Sequence, residues 1–265
     1  MLNFRTFGSG PNLIVLHGLY GASDNWLTIG KKLQAYYTVY LVDLRNHGRS
    51  PHFSSHTYSD MAEDLKIFFK EVNIKKATIL GHSMGGKTAM MFAADYPEYI
   101  EGLIIADIAP KDYSTDSEKS HGIIHHKILS LLDGLDLFDI SSREEIDLYL
   151  SKDIPSQSLR GFLMKNIRRS KTGIFEWKIN VPVLKKYLPE IIKEVNPDFF
   201  EDRKPILSYP ITFIRGINSE YLTDNDIPVI KDIYPNAKII DIKNAGHWLH
   251  AEQPDDFVKA IIKNY

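Results

Sequence analysis

Thr78-Ile79-Leu80-Gly81-His82-Ser83-Met84-Gly85 is the stretch whose reading decides the fold. Its first three residues close a short apolar, β-favouring run over 77–81. The residues after it, 84–95, carry a helical pattern that stops before Pro97. Between them stands Gly-x-Ser-x-Gly. A serine in that setting predicts a very tight strand-to-helix turn that lifts its hydroxyl above the sheet edge. Glycine on both sides removes the Cβ atoms that would collide across the turn. At average glycine and serine usage the bare pattern arises by chance in roughly one chain in ten of this length. The strand before it and the helix after it therefore carry the weight.

The same texture continues outward. Residues 2–7, 12–17, 38–43 and 103–108 read as strands. Residues 26–36 read as a short helix, and Met61, Leu65, Phe68, Phe69 and Val72 give 58–72 a helical period. Strand texture returns at 211–215 and 237–242, and 255–263 closes as a helix. Strands alternating with helices predict a mostly parallel sheet covered on both faces. From Lys111 to Lys204 the texture is helical and more polar, punctuated by Pro155, Pro182, Pro189 and Pro197, with no clear buried strand. The organisation expected is a core of residues 1–110 and 205–265, interrupted by a helical cap over 111–204. An insertion of that length in an enzyme-like fold reads as a lid over a site.

The bulk numbers exclude several classes. The chain has 265 residues, 43% apolar and 25% charged, which fits one globular core rather than disorder or fibre. A formal net charge of −2 provides no field to attract nucleic acid or an anionic membrane. No apolar run approaches the ~20 residues needed to span a bilayer. The absence of cysteine excludes disulfides, thiolate metal sites and a thiol nucleophile. With no leader pattern at residues 1–5, a cytoplasmic protein is expected.

Two further motifs join Ser83. His17-Gly18-Leu19-Tyr20-Gly21 follows the strand at 12–17, where a turn can present a second N–H to a developing oxyanion. Leu19 N–H and Met84 N–H are the expected pair. Asn244-Ala245-Gly246-His247-Trp248 follows the last strand and puts His247 in the order serine, acid, histidine. It is the expected base. For the acid, the loop after 211–215 reads Gly216-Ile217-Asn218-Ser219-Glu220, with Ser219 where an aspartate is usual. Asp107, ending the strand beside the serine strand, could still reach the imidazole, and Glu220 and Asp224 compete with it.

Gly81-His82-Ser83-Met84-Gly85-Gly86-Lys87, Ala106-Asp107-Ile108-Ala109-Pro110, the run from Val42 through Asn46-His47-Gly48 to Ser50, and Ala245-Gly246-His247-Trp248 resemble the YbfF-type esterases. The resemblance covers nearly the whole chain. It implies a capped α/β-hydrolase fold, with the helical cap inserted after the strand ending near Asp107. It also implies activity on short-chain esters and acyl-CoA thioesters; a serine mechanism of this kind requires no metal and no organic cofactor. In that family the acid follows the strand after the nucleophile helix, which matches Asp107. The expected partner is then a small-molecule ester or thioester.

Other features have plainer readings. Gly81 to Gly86-Lys87-Thr88 has phosphate-loop spacing, but a phosphate loop leaves the His17 and His247 motifs without a role. His121, His125 and His126 include an i, i+4 pair of the kind that binds zinc, yet a polar helix face explains them. Lys165, Arg168, Arg169 and Lys171 could meet a CoA phosphate, or simply be solvated. Tyr113, Phe138, Phe162, Trp177 and Tyr187 are candidates for setting acyl length. A C–C lyase or perhydrolase on the same scaffold, and a small-molecule receptor with a hydrolase pocket, remain as competing functions.

Overall fold

Alternation of apolar side chains decides which way each strand faces. In the computed structural model, which describes residues 1–114 and 121–264, Ile14, Leu16, Ile79, Leu103 and Ile105 join one buried cluster. Their neighbours Leu13, Val15, Leu80, Ile104 and Ala106 join a second cluster on the opposite face. Period-2 strands buried on both sides need helices on both sides.

In chain order the elements are β1 (Phe4–Phe7), β2 (Asn12–Leu16), α1 (Leu27–Leu33), β3 (Thr38–Val42), α2 (Tyr58–Glu71), β4 (Ala77–His82), α3 (Met84–Asp95) and β5 (Ile100–Ala106). Then come α4 (His121–Asp133), α5 (Arg143–Ser151), α6 (Gln157–Met164), β6 (Ile167–Arg169), β7 (Phe175–Trp177) and α7 (Val181–Lys193). The chain closes with β8 (Ile211–Gly216), α8 (Ile227–Ile233), β9 (Lys238–Ile242), α9 (Leu249–Glu252) and α10 (Pro254–Ile262). Among the described residues, seven strands form one sheet in the order β1-β3-β2-β4-β5-β8-β9. All neighbours are parallel except the edge pair β1–β3. This is the α/β-hydrolase architecture.

Helix α2 shows why these segments fold as they do. Thr57 caps it by accepting from Asp60 N–H at 3.1 Å, while the Asp60 carboxylate accepts from Thr57 N–H. Its stripe of Tyr58, Met61, Leu65, Phe68 and Phe69 is buried against the sheet with α3. On the other face Trp26, Leu33, Phe257 and Ile261 complete the second cluster.

Register brings the site together. Leu16 is opposite Gly81, His82 opposite Ala106, Ala106 opposite Ile214, and Gly216 opposite Ile242. The C-terminal ends of β2, β4, β5, β8 and β9 therefore share one edge, where open α/β sheets bind ligands. Residues 17–21, 83, 107, 217–219 and 244–247 all emerge there.

Between β5 and β8 the chain leaves the sheet. That segment is not wholly helical: β6 and β7 form an antiparallel hairpin, with Ile167 and Phe175 buried. Strands of three residues are too short to show a period, and α8 likewise falls outside the sequence expectations. Strand β5 begins at Ile100 and ends at Ala106, so Asp107 stands just beyond it rather than within it.

Candidate active site

Ser83 occupies the turn between β4 and α3 with φ 54° and ψ −121°. A serine there is strained, and the surrounding packing holds it. A Cβ on Gly81 would lie 2.2 Å from the Gly85 carbonyl oxygen, and one on Gly85 would lie 2.5 Å from that of Leu16. Only glycine permits this crossing of backbones. Ser83 carbonyl accepts from Gly86 N–H (2.8 Å) and Lys87 N–H (3.1 Å), which locks the turn to the helix. Met84 opens α3, so its N–H has no acceptor within the helix.

The β2 end forms a turn closed by Gly21 N–H to the Gly18 carbonyl at 2.9 Å, a bond that does not use Leu19 N–H. Two buried histidines hold this turn. His17 donates from Nδ1 to the Gly18 carbonyl (2.9 Å) and accepts at Nε2 from Leu44 N–H (3.0 Å). His47 donates from Nδ1 to the Arg45 carbonyl (2.9 Å) and accepts at Nε2 from Tyr20 N–H (3.3 Å). Each ring faces a donor and an acceptor, so each must be neutral. Burial accordingly pushes both below the usual histidine range, and His56 beside them down to about 3. The sign for stability follows: the unfolded chain binds these protons at pH below about 6.5 while the fold does not, so stability falls as pH drops from there. Three such groups predict a melting temperature roughly 10 °C lower at pH 5 than at pH 7. A thermal melt series showing no change would refute it.

His247 and Asp107 meet although 140 positions apart: imidazole Nδ1 lies 2.8 Å from Asp107 Oδ2. Asp107 is fully buried, with φ 54°. Its Oδ1 accepts from Gly216 N–H at 3.1 Å, and its Oδ2 also accepts from the Ser219 hydroxyl. The competing acids lie elsewhere. Asp224 pairs with Arg215 at 2.6 Å, and Glu220 is exposed.

Four contacts were not foreseen from the sequence. The Tyr221 ring stacks on the His247 imidazole, centroids 3.7 Å apart. The Tyr221 hydroxyl lies 3.1 Å from His125 Nε2, and His125 Nδ1 lies 3.2 Å from the Tyr20 hydroxyl. His82 Nε2 donates to the His247 carbonyl at 2.8 Å, tying the histidine loop to the serine turn. The only sequence signal was proximity to a motif: His82 lies within one, and Tyr221 follows Ser219.

Lys87 is buried, and its Nζ donates to the carbonyls of Lys111 and Glu194, both at 2.7 Å, and of Ile192 at 3.5 Å. Burial pulls it down to about 7, with the charges of Asp112 and Glu194 working against that and Lys111 adding to it. Three carbonyls consume its three donors, which leaves nothing for a nucleotide phosphate and removes the phosphate-loop reading. His125 is engaged by tyrosine hydroxyls, and the side chain of His121 lies outside the described residues. Among those described, no group of three or more His, Cys, Asp or Glu is arranged to hold a metal. Arg168 pairs with Glu176, and Arg169 donates to the carbonyls of Ser141 and Gly173, whereas Lys165 faces the site.

Ser83 and His247 line a cavity of about 590 Å³ roofed by Ile124 and Ile128 of α4 and by Leu159 and Phe162 of α6. Of the aromatic candidates, Phe162 is on this cavity and Tyr113 on a smaller one. Phe138 and Trp177 border a separate open cleft, and Tyr187 lies under Lys186.

The chain is similar to known proteins. The alpha/beta hydrolase fold family matches residues 11–254. An sn-1-specific diacylglycerol lipase of Xenopus laevis is 34% identical over 254 residues, covering 95% of this chain and 78% of that one. Esterase YbfF of Escherichia coli is 32% identical over 249 residues, covering 94% and 91%. A marine microorganism esterase of known structure superposes with a TM-score of 0.93 at 44% identity, covering 100% and 99%.

Proposed function

The chain belongs to the alpha/beta hydrolase family, with esterases and lipases among its relatives, and from that premise we propose that it cleaves carboxylic esters and acyl thioesters through an acyl-enzyme on Ser83. The observation that carries the reading is the buried Asp107 carboxylate against His247 Nδ1. With Nδ1–H donated to that carboxylate, Nε2 keeps its lone pair and serves as the base.

In this mechanism Ser83 Oγ attacks the acyl carbon while His247 takes its proton. The N–H groups of Leu19 and Met84 hold the oxyanion, and one such donor lowers the barrier by about 3 kcal/mol. His247 then protonates the departing oxygen or sulfur. A water molecule, deprotonated by the same imidazole, releases the acid and restores the serine. Segment 111–204 acts as the cap that sets which substrate enters.

Ser219 is a positioning residue here, acting through Asp107. Ser219→Ala removes a hydrogen bond to a charged acceptor, so kcat should fall about tenfold with KM little changed. A wild-type kcat in that variant would remove Ser219 from the mechanism. For the proposal itself, the test is a fluorophosphonate titration followed by hydrolysis of p-nitrophenyl acetate and acetyl-CoA. One equivalent should abolish both activities and add its mass to Ser83. Turnover surviving stoichiometric labelling, or a label on another residue, would overturn it.

A further inference from the structure

Tyr221 lies flat against the ring that the mechanism charges. Its phenol and the His247 imidazole are 16° from parallel, with centroids 3.7 Å apart. The two residues also belong to one closed circuit. Tyr221 N–H donates to Ser219 Oγ at 3.2 Å, the Ser219 hydroxyl donates to Asp107 Oδ2, and that oxygen lies 2.8 Å from His247 Nδ1. Further bonds fasten the ring. The Tyr221 carbonyl accepts from the Tyr113 hydroxyl at 2.6 Å, which itself accepts from Ala109 N–H at 2.9 Å. The Tyr221 hydroxyl lies 3.1 Å from His125 Nε2 on α4.

An aromatic face is the negative part of its quadrupole, and it attracts a cation more than a neutral ring. Once His247 holds the Ser83 proton, its imidazole carries a positive charge spread over the ring. The stack is then stronger than in the resting enzyme, and a contact that strengthens as the reaction proceeds speeds it. Resting on the acyl-enzyme reading above, we propose that Tyr221 is a positioning residue whose ring face stabilises the His247 imidazolium. Asp107 meets that cation at its Nδ1 edge and Tyr221 meets it across its face, so neither contact replaces the other. Desolvation, with the Asp107 charge adding to it, pushes the Tyr221 phenol above the usual tyrosine range, so the group facing the imidazolium is a neutral ring.

The other titratable groups about the imidazole keep their own states. The His82 ring is tilted by 39° with its centroid 4.6 Å away, and its Nε2 donates to the His247 carbonyl at 2.8 Å. Burial pushes His82, His250 and His17 below the usual histidine range, so none of them is a second cation at neutral pH. His125, Lys165 and Glu252 line the cavity that His247 shares, and Glu252 accepts from Gly246 N–H at 2.7 Å. Changing Tyr221 alters none of these groups, so a titration that moves with it reports the ring.

Rate and pH dependence are read together on the intact protein with p-nitrophenyl acetate. In Tyr221→Leu, which keeps apolar bulk without a π face, kcat should fall about tenfold with KM within about threefold. The acid limb of kcat/KM should move about half to one pH unit lower, because the free imidazole loses a contact that favoured its proton. Tyr221→Phe, which loses only the hydroxyl, should recover most of kcat and return the limb to its wild-type place. Phenylalanines carrying one, two or three fluorines at position 221 keep the shape while draining the ring face. With them kcat and the limb should fall stepwise with fluorine count. A limb unmoved by leucine or by fluorination, in an enzyme that fluorophosphonate still silences, overturns the role of Tyr221 and leaves the acyl-enzyme reading intact. A phenylalanine variant as slow as the leucine one does the same, since the hydroxyl contact to His125 would then carry the effect. Turnover that survives labelling of Ser83 overturns both.

Discussion

Ser83→Ala should lower kcat on p-nitrophenyl acetate by about 10⁵–10⁶-fold while shifting the melting temperature by less than about 3 °C. In the proposed mechanism this change removes the nucleophile and with it the covalent intermediate. What would remain is the cavity and the two proposed oxyanion donors, which would still speed attack by water about 10³–10⁴-fold over solution. Stability should hold because the Ser83 backbone bonds, its N–H to the Ala106 carbonyl at 3.1 Å and its carbonyl to Gly86 N–H, do not involve the side chain. The strained φ of 54° is paid equally by serine and alanine. The measurement is steady-state kinetics beside a thermal melt. A folded variant turning over within tenfold of the wild type would exclude acyl-enzyme chemistry at this serine.

The second large effect belongs to Asp107→Asn, expected to lower kcat by about 10⁴-fold. Asparagine keeps the shape and one acceptor. Its oxygen can still accept from Gly216 N–H, but its amide NH₂ then faces His247 Nδ1, where the carboxylate accepted. Two donors cannot share that position, so the imidazole turns to the tautomer with its proton on Nε2 and loses the lone pair needed for Ser83. The Ser219 hydroxyl can rotate to accept from the amide, so the stability cost should stay near 1–3 kcal/mol. Glu220→Gln and Asp224→Asn, the other acids in reach by sequence alone, should leave turnover within about threefold of the wild type. If either reproduced the Asp107→Asn loss, the assignment of the acid would move to it.

Much of the fold is legible one segment at a time. The apolar alternation of Leu13-Ile14-Val15-Leu16 marks a strand buried on both faces, and Thr57 with Asp60 marks the start of α2. Gly81, Gly85 and Ser83 together imply a turn too tight for other residues. The hairpin β6–β7 is not legible, because three residues show no period and its pairing of Ile167 with Trp177 is settled by packing in the inserted segment. The same limit separates the aromatic candidates. Phe162 and Phe138 look alike in sequence, yet one roofs the cavity beside Ser83 and the other is 71% exposed.

For the site, sequence alone determined the sheet-and-helix alternation, the serine turn and the two motif loops that follow strands. These depend on propensity, turn chemistry and steric room among residues a few positions apart. Which acid reaches His247, that Ser219 serves that acid and that Tyr221 stacks on the imidazole were decided by tertiary structure. Those contacts join residues 107, 219, 221 and 247, carried on β5, β8 and β9. Their meeting is set by the register of three parallel strands. No interaction between near neighbours in the chain encodes that register, because it emerges only when the whole sheet packs.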